Sequence, residues 1–295
     1  LSHRNKIAFF GTSHTYGDCA EGITKNKKKL FKYLETPWPE LFAKKLNKEF
    51  YNFGIGGSDN MTILDAILEA FSRGIMDDVE TVILEPRLSF DTVKVPFCNI
   101  GYTKRPEGLE DREDYSSHWL DHARHTKIDD PTMPMPKTES LWTRFALMDL
   151  NDPDAFSRRI DGVYNEPEYN KTMEDRDIQK YVQLDKLYVS GSKYLQYLNL
   201  QFIKNVYQLC KGHGIKFYWL NWESFLWERF TPFFEQDNHL MELNITPFKC
   251  VMTYMDKDVP GDIKDFQCSC GHFNQKAQHY ITQFLTQGYN ERTNN

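Results

Sequence analysis

The 295-residue chain contains no run approaching the roughly 20 apolar residues of a membrane span, so a helical membrane protein is not expected. Its first residues, Leu1-Ser2-His3-Arg4-Asn5-Lys6, lack the apolar core of a signal peptide, so classical secretion is not expected either. Basic residues are in deficit: 36 Lys and Arg stand against 42 Asp and Glu, a formal net charge of −6, and nothing draws the chain electrostatically to nucleic acid or anionic lipid. Cysteine is sparse, six residues spread through a long sequence and several of them inside apolar runs, which argues against a disulfide framework. The cluster Cys268-Ser269-Cys270-Gly271-His272 offers three soft ligands at alternate positions, but no second C-x-x-C or H-x-x-x-H completes a tetrahedron, and no zinc site is expected. Internal repeats and low-complexity linkers are absent as well.

What the chain does have is a core-forming composition, 40% hydrophobic and 15% aromatic, enough for a folded globular protein. Strand-like and helix-like runs alternate in the first third, the pattern of a parallel sheet flanked by helices: strand 6–10, helix 38–47, strand 50–53, helix 60–73 and strand 80–84. Trp38, Leu41, Phe42 and Leu46 give the first helix one apolar face, with Pro39 tolerable in its first turn, and Ile63, Ile67 and Phe71 do the same for the second. From about 100 to 190 the composition turns to Asp, Glu, Lys, Pro and Tyr, and Pro131, Pro134 and Pro136 interrupt any helix. That stretch reads as an insertion or lid within a single domain spanning 1–295, with a helical piece suggested at Leu141-Trp142-Thr143-Arg144-Phe145-Ala146-Leu147. Regular order returns with a helix at 192–211, a strand at Ile215–Leu220, a candidate last strand Lys249-Cys250-Val251-Met252, and a closing helix from Asn274 to about Leu285.

Three segments carry candidate chemistry. Gly11-Thr12-Ser13-His14-Thr15-Tyr16-Gly17 follows the apolar run Ile7–Phe10, so Ser13 sits where a strand turns into a helix, a place suited to a nucleophile or to a helix cap. Gly54-Ile55-Gly56-Gly57 follows the second strand, and in an open parallel sheet the carboxyl ends of neighbouring strands share one crevice, which brings the Gly57 amide toward Ser13. His272 lies beyond the last expected strand, where a loop returns over the strand ends, and this sets it apart from His3, His118, His122, His125, His213, His239 and His279. A serine hydrolase needs a nucleophile on a tight turn, a histidine base and donors aimed at the oxyanion.

In this order and spacing the three segments resemble the SGNH or GDSL-type hydrolase family, over roughly 6–90 and 190–286. Gly11–Gly17 looks like the first block, G-D-S-x-T-x-G, with Thr12 in place of the aspartate. Asn52-Phe53-Gly54-Ile55-Gly56-Gly57 is similar to the second, N-x-G-x-x-G, and His272-Phe273-Asn274 with Ala277 looks like the last, D-x-x-H-P-N-x-x-G. The resemblance implies a three-layer α/β/α sandwich around a mainly parallel sheet, SGNH- or flavodoxin-like, with Ser13 as nucleophile, His272 as base and Gly57 as oxyanion donor. It departs at two places. The third block, G-x-N-D, should supply an amide where Ile83-Leu84-Glu85-Pro86-Arg87-Leu88-Ser89 has none, leaving Arg87, Ser89 or Asn60 as substitutes. The acid three residues before the histidine is Ser269, leaving Asp262 or Asp265 to orient the imidazole.

The implied activity is hydrolysis of a small ester without metal or organic cofactor, and the aromatic insertion points to acetyl groups on carbohydrate. The divergent blocks resemble SGNH-like proteins of tailed bacteriophages, for which the implied location is a virion or the cytoplasm of the producing cell, with virion proteins as partners. Two rivals stand beside this reading: a non-catalytic protein of the same fold that binds glycan or a protein partner, and a flavodoxin-like nucleotide binder, whose phosphate turn would lack a Walker lysine.

Overall fold

The computed structural model describes residues 4–23, 29–34, 36–56, 58, 60–88, 93–96, 142–145, 193–222, 237–247, 249–268 and 272–294. Gly57 and Ser89, and all of the expected insertion except 142–145, lie outside the described residues.

Four strands form one sheet in the order β4-β1-β5-β8, every neighbouring pair parallel. They are β1 (Lys6–Gly11), β4 (Glu49–Gly54), β5 (Val79–Leu84) and β8 (Lys216–Trp219). β1 is central because Ile7 to Phe10 are all buried, a continuous apolar run with no solvent face. The register aligns the carboxyl ends: Gly11 stands opposite Gly54, and Phe10 opposite Leu84. The ladder runs one residue further on each side, with Glu85 N donating to Phe10 O at 2.8 Å and Ile55 N to Gly11 O at 3.0 Å. With β4 on one side of β1 and β5 on the other, the chain reverses direction across the sheet at β1, the place where an open α/β sheet forms its crevice.

Helices α2 (Trp38–Lys45), α6 (Val251–Lys257) and α7 (Gln275–Thr293) share a core with Ile7, Phe9 and Ile83 of the sheet, through Trp38, Phe42, Val251, Met255, Ile281 and Leu285. Phe9 meets Trp38 and Phe42 edge to face, with centroids 5.3 and 5.7 Å apart. Helix α3 (Asn60–Ser72) packs against β1 and buries Ile63, Ala66, Ile67 and Ala70. Helix α4 (Lys193–Gly212) buries Ile203, Val206 and Cys210.

Two expectations are corrected. The run Lys249–Met252 is not a strand: Cys250 caps α6, its sulfur accepting from Thr253 N, and Val251 and Met255 are buried one helical turn apart. The place beside β8 is taken instead by a single parallel bridge from Asn244 to Trp219, following the short helix α5 (Asn238–Glu242). Trp142–Phe145 is not helical but forms β7, antiparallel to β6 (Val93–Pro96), because four residues with apolar ends at Trp142 and Phe145 are too few to reveal a period. A second antiparallel pair, β2 (Asp18–Ile23) with β3 (Lys29–Tyr33), follows the short helix α1 (Ser13–Tyr16). The chain divides into two compact units, and β1, β4, β5, β8, α1–α3 and α5–α7 all belong to the first, with α4 from Asn199 onward.

Candidate active site

The turn after β1 is a single helical turn held at both ends. Thr12 is its N-cap, Tyr16 N donates to Thr12 O and Gly17 N to Ser13 O, each at 2.9 Å, and Gly17 closes it at φ 86°, a left-handed conformation natural to glycine. The second strand fastens this turn from below. Asn52 Nδ2 donates to Thr15 O at 2.8 Å while Asn52 Oδ1 accepts from Gly54 N at 3.0 Å. Gly54 is needed for this approach, since a Cβ there would lie 2.6 Å from the Thr15 carbonyl carbon and closer still to Tyr16 N.

His272 arrives on a tight antiparallel loop. Gln267 and Phe273 form a bridge, Cys268 N donates to His272 O at 2.7 Å and Asn274 N to Phe266 O at 2.8 Å. Asn274 then caps α7 by accepting from Ala277 N, and its Nδ2 donates to Asp265 O at 2.9 Å. Cys268 is disulfide-bonded, whereas Cys210 and Cys250 are free. The start of α7 is anchored to the chain before α2: Gln275 exchanges bonds with Thr36 N and O, and Gln278 Oε1 accepts from Trp38 N at 3.0 Å.

The outcome is that Ser13 Oγ lies 2.8 Å from His272 Nε2, across 259 residues of sequence, with both side chains part-buried. Every other amide from Thr12 to Gly17 has an acceptor, but among the described residues the Ser13 N–H has none. It is the donor that a developing oxyanion on a Ser13 adduct would meet.

The remaining candidates sit as follows. Asn60 donates both amide hydrogens, to Arg87 O and Asn199 Oδ1, and accepts from Arg87 N, all at 2.8 Å, so its amide is committed to holding the segment after β5. The Arg87 charge acts on His14, which places the guanidinium within electrostatic range of the turn. Asp265 is exposed, with Oδ2 toward Gly261, and the Asp262 carboxylate caps Lys264 N at 2.9 Å.

Two residues of the site, His14 and Glu85, were missed at the level of sequence. His14 stacks on the buried Trp222 with centroids 4.5 Å apart and lies 5.0 Å from the His272 ring. Burial, then the nearby charges of His272 and Arg87, hold His14 well below the ordinary histidine range, so it stays neutral. Glu85 is buried and accepts from Thr12 N at 3.3 Å, Thr12 Oγ1 at 2.6 Å, Thr15 N at 3.0 Å and Thr15 Oγ1. The available signal for Glu85 was a lone acid closing the apolar run Thr81–Leu84, where burial without donors is prohibitive. Among the described residues no group of three His, Cys, Asp or Glu side chains is placed to hold a metal ion, and no helix is long and apolar enough to cross a membrane.

The chain was compared with protein-family models, with curated proteins and with solved structures. None of them matches it.

Proposed function

We propose that this protein is a serine ester hydrolase of the SGNH type. The observation that carries the reading is the 2.8 Å approach of Ser13 Oγ to His272 Nε2 on a strand-to-helix turn. In the reaction Ser13 Oγ attacks the ester carbonyl as its proton passes to His272 Nε2, and the tetrahedral oxyanion accepts from Ser13 N–H and, by the family resemblance, from Gly57 N–H. The protonated His272 then gives its proton to the departing alcohol. Water, deprotonated by the same imidazole, releases the acid and restores the serine. The finer architecture belongs to the same proposal: α2, α6 and α7 on one face of the sheet, α3 and α4 on the other, and the 100–190 stretch inserted into this α/β/α sandwich. Acetylated carbohydrate is the proposed substrate class, and a phage virion the proposed setting.

A fluorophosphonate probe tests the chemistry, with labelling expected on the wild type and lost in Ser13→Ala. Because a histidine base must be neutral and an ordinary imidazole titrates near about 6.5, labelling should fall on acidification through that range. A rate that stays flat there would remove His272 from the mechanism. The commitment of the Asn60 amide and the exposure of Asp265 favour a second reading, a binding protein that keeps the fold without turnover. Folded wild-type protein that takes no label would establish that alternative over the esterase.

A further inference from the structure

Resting on the esterase reading, we propose that Glu85 is a positioning residue for the nucleophile: from the end of β5 its carboxylate gathers the donors of Thr12 and Thr15 and so fixes Ser13, which stands between them, against His272. The argument is geometric first. A carboxylate has about four lone-pair sites, and here four donors fill them, two main-chain amides and two hydroxyls from the residues that bracket Ser13. Neither the Ser13 amide nor its hydroxyl is among them, so the frame is fastened while the reacting atoms stay available. Glu85 itself has little freedom, being 2% exposed with its own N–H donating to Phe10 O in the sheet ladder. Thr12 occupies the aspartate position of the resembled first block, and its hydroxyl reaches an acid supplied by another strand.

The electrostatics give this arrangement a pH signature. The side chains bonded to the carboxylate are Thr12 and Thr15, from the turn after β1, and among the described residues burial and the bonds from these two threonines are the main influences on its titration. Of the nearby titratable and charged groups, His272 and Arg87 act on His14. Burial raises the Glu85 carboxyl to about 7, outweighing the four donors that pull it down. Protonation turns one acceptor oxygen into a donor, so one of the four bonds to the turn must break or reverse. Labelling of Ser13 therefore needs two deprotonations, of His272 and of Glu85.

The test is the rate of fluorophosphonate labelling from about pH 5 to about pH 8.5, which brackets an ordinary imidazole and the raised Glu85 carboxyl, in wild type, Glu85→Gln, Thr15→Val and Thr15→Ser, each checked for folding by circular dichroism. In the wild type the logarithm of the rate should rise with a slope of about two below about pH 6. Glu85→Gln places N–H groups against donors and loosens the turn, so labelling should slow about tenfold to a hundredfold and the slope drop to about one. Thr15→Val removes one donor from the carboxylate and should move the acid limb to higher pH, while Thr15→Ser, which keeps the hydroxyl, restores the wild-type profile. If Glu85→Gln does not fold, the Thr15 pair decides. Wild-type rates and slope in Glu85→Gln, or an unmoved limb in Thr15→Val, would overturn the role of Glu85 and leave the esterase reading standing. A slower Glu85→Gln with the slope still at two reduces Glu85 to packing and overturns positioning. A wild type that never labels overturns the esterase reading and this inference with it.

Discussion

Ser13 was legible in the sequence because an apolar strand run followed by a glycine-flanked serine states its own geometry. Glu85 was not, because its bonds go to two threonines 70 and 73 positions earlier that only the parallel register brings to it. Gly54 lies between these cases: its place in an N-x-G motif was visible, but the reason for it, the approach of the Thr15–Tyr16 peptide, belongs to three dimensions. Gly54→Ala drives a methyl into backbone that has no rotamer to yield. Overpacking of this kind costs about 1–3 kcal/mol, and with main chain as the obstacle the upper end is expected. Urea unfolding should show that loss, and fluorophosphonate labelling should fall with it as the turn is pushed off His272.

Among the elements, the parallel strands and the long helices followed directly from apolar periodicity, and the short ones did not. Lys249–Met252 is four residues long, too short to show whether its period is two or 3.6, and the Cys250 cap decided for helix α6. The β2–β3 pair gave no signal, since its lysine-rich connection resembles a solvated loop. The loop-to-helix junction at Asn274 does two jobs that can be separated. Asn274→Ala removes both the α7 cap and the bond to the Asp265 carbonyl, at about 1–2 kcal/mol for the cap alone. Asn274→Asp keeps the cap and loses only the donor. Thermal unfolding should therefore rank wild type above Asn274→Asp above Asn274→Ala, and labelling should already be reduced in Asn274→Asp, because the lost bond braces the loop that carries His272.

At the scale of the molecule, stability carries the imprint of a buried acid. Glu85 has its folded value raised to about 7 from an ordinary 4.5, so the folded state holds a proton that the unfolded chain releases earlier. Its contribution is fully present below about pH 4.5, is lost as the pH rises to about 7, and is constant above. Across that window the wild type should lose up to about 3 kcal/mol relative to Glu85→Gln, read from unfolding free energies of the two proteins at several pH values. Glu80 and Asp237, lowered by Lys48 and Lys204 respectively, act with the opposite sign at lower pH, and the comparison with the variant cancels them. Composition alone could have given none of this, since 42 acidic residues look alike until the fold buries one.

The bond between Ser13 and His272 joins residues 259 apart, and the bonds from Gln275 and Gln278 to Thr36 and Trp38 close loops nearly as long. Contacts of such high sequence separation are the last that a chain can make, because the entropy of closing the loop is lost before any bond repays it. On the proposed mechanism Ser13 therefore has no base while α7 is still undocked. On that proposal a chain with its first three sheet strands in place but α7 undocked would take no fluorophosphonate label, and the onset of labelling would mark the moment at which the two halves of the sequence have found each other.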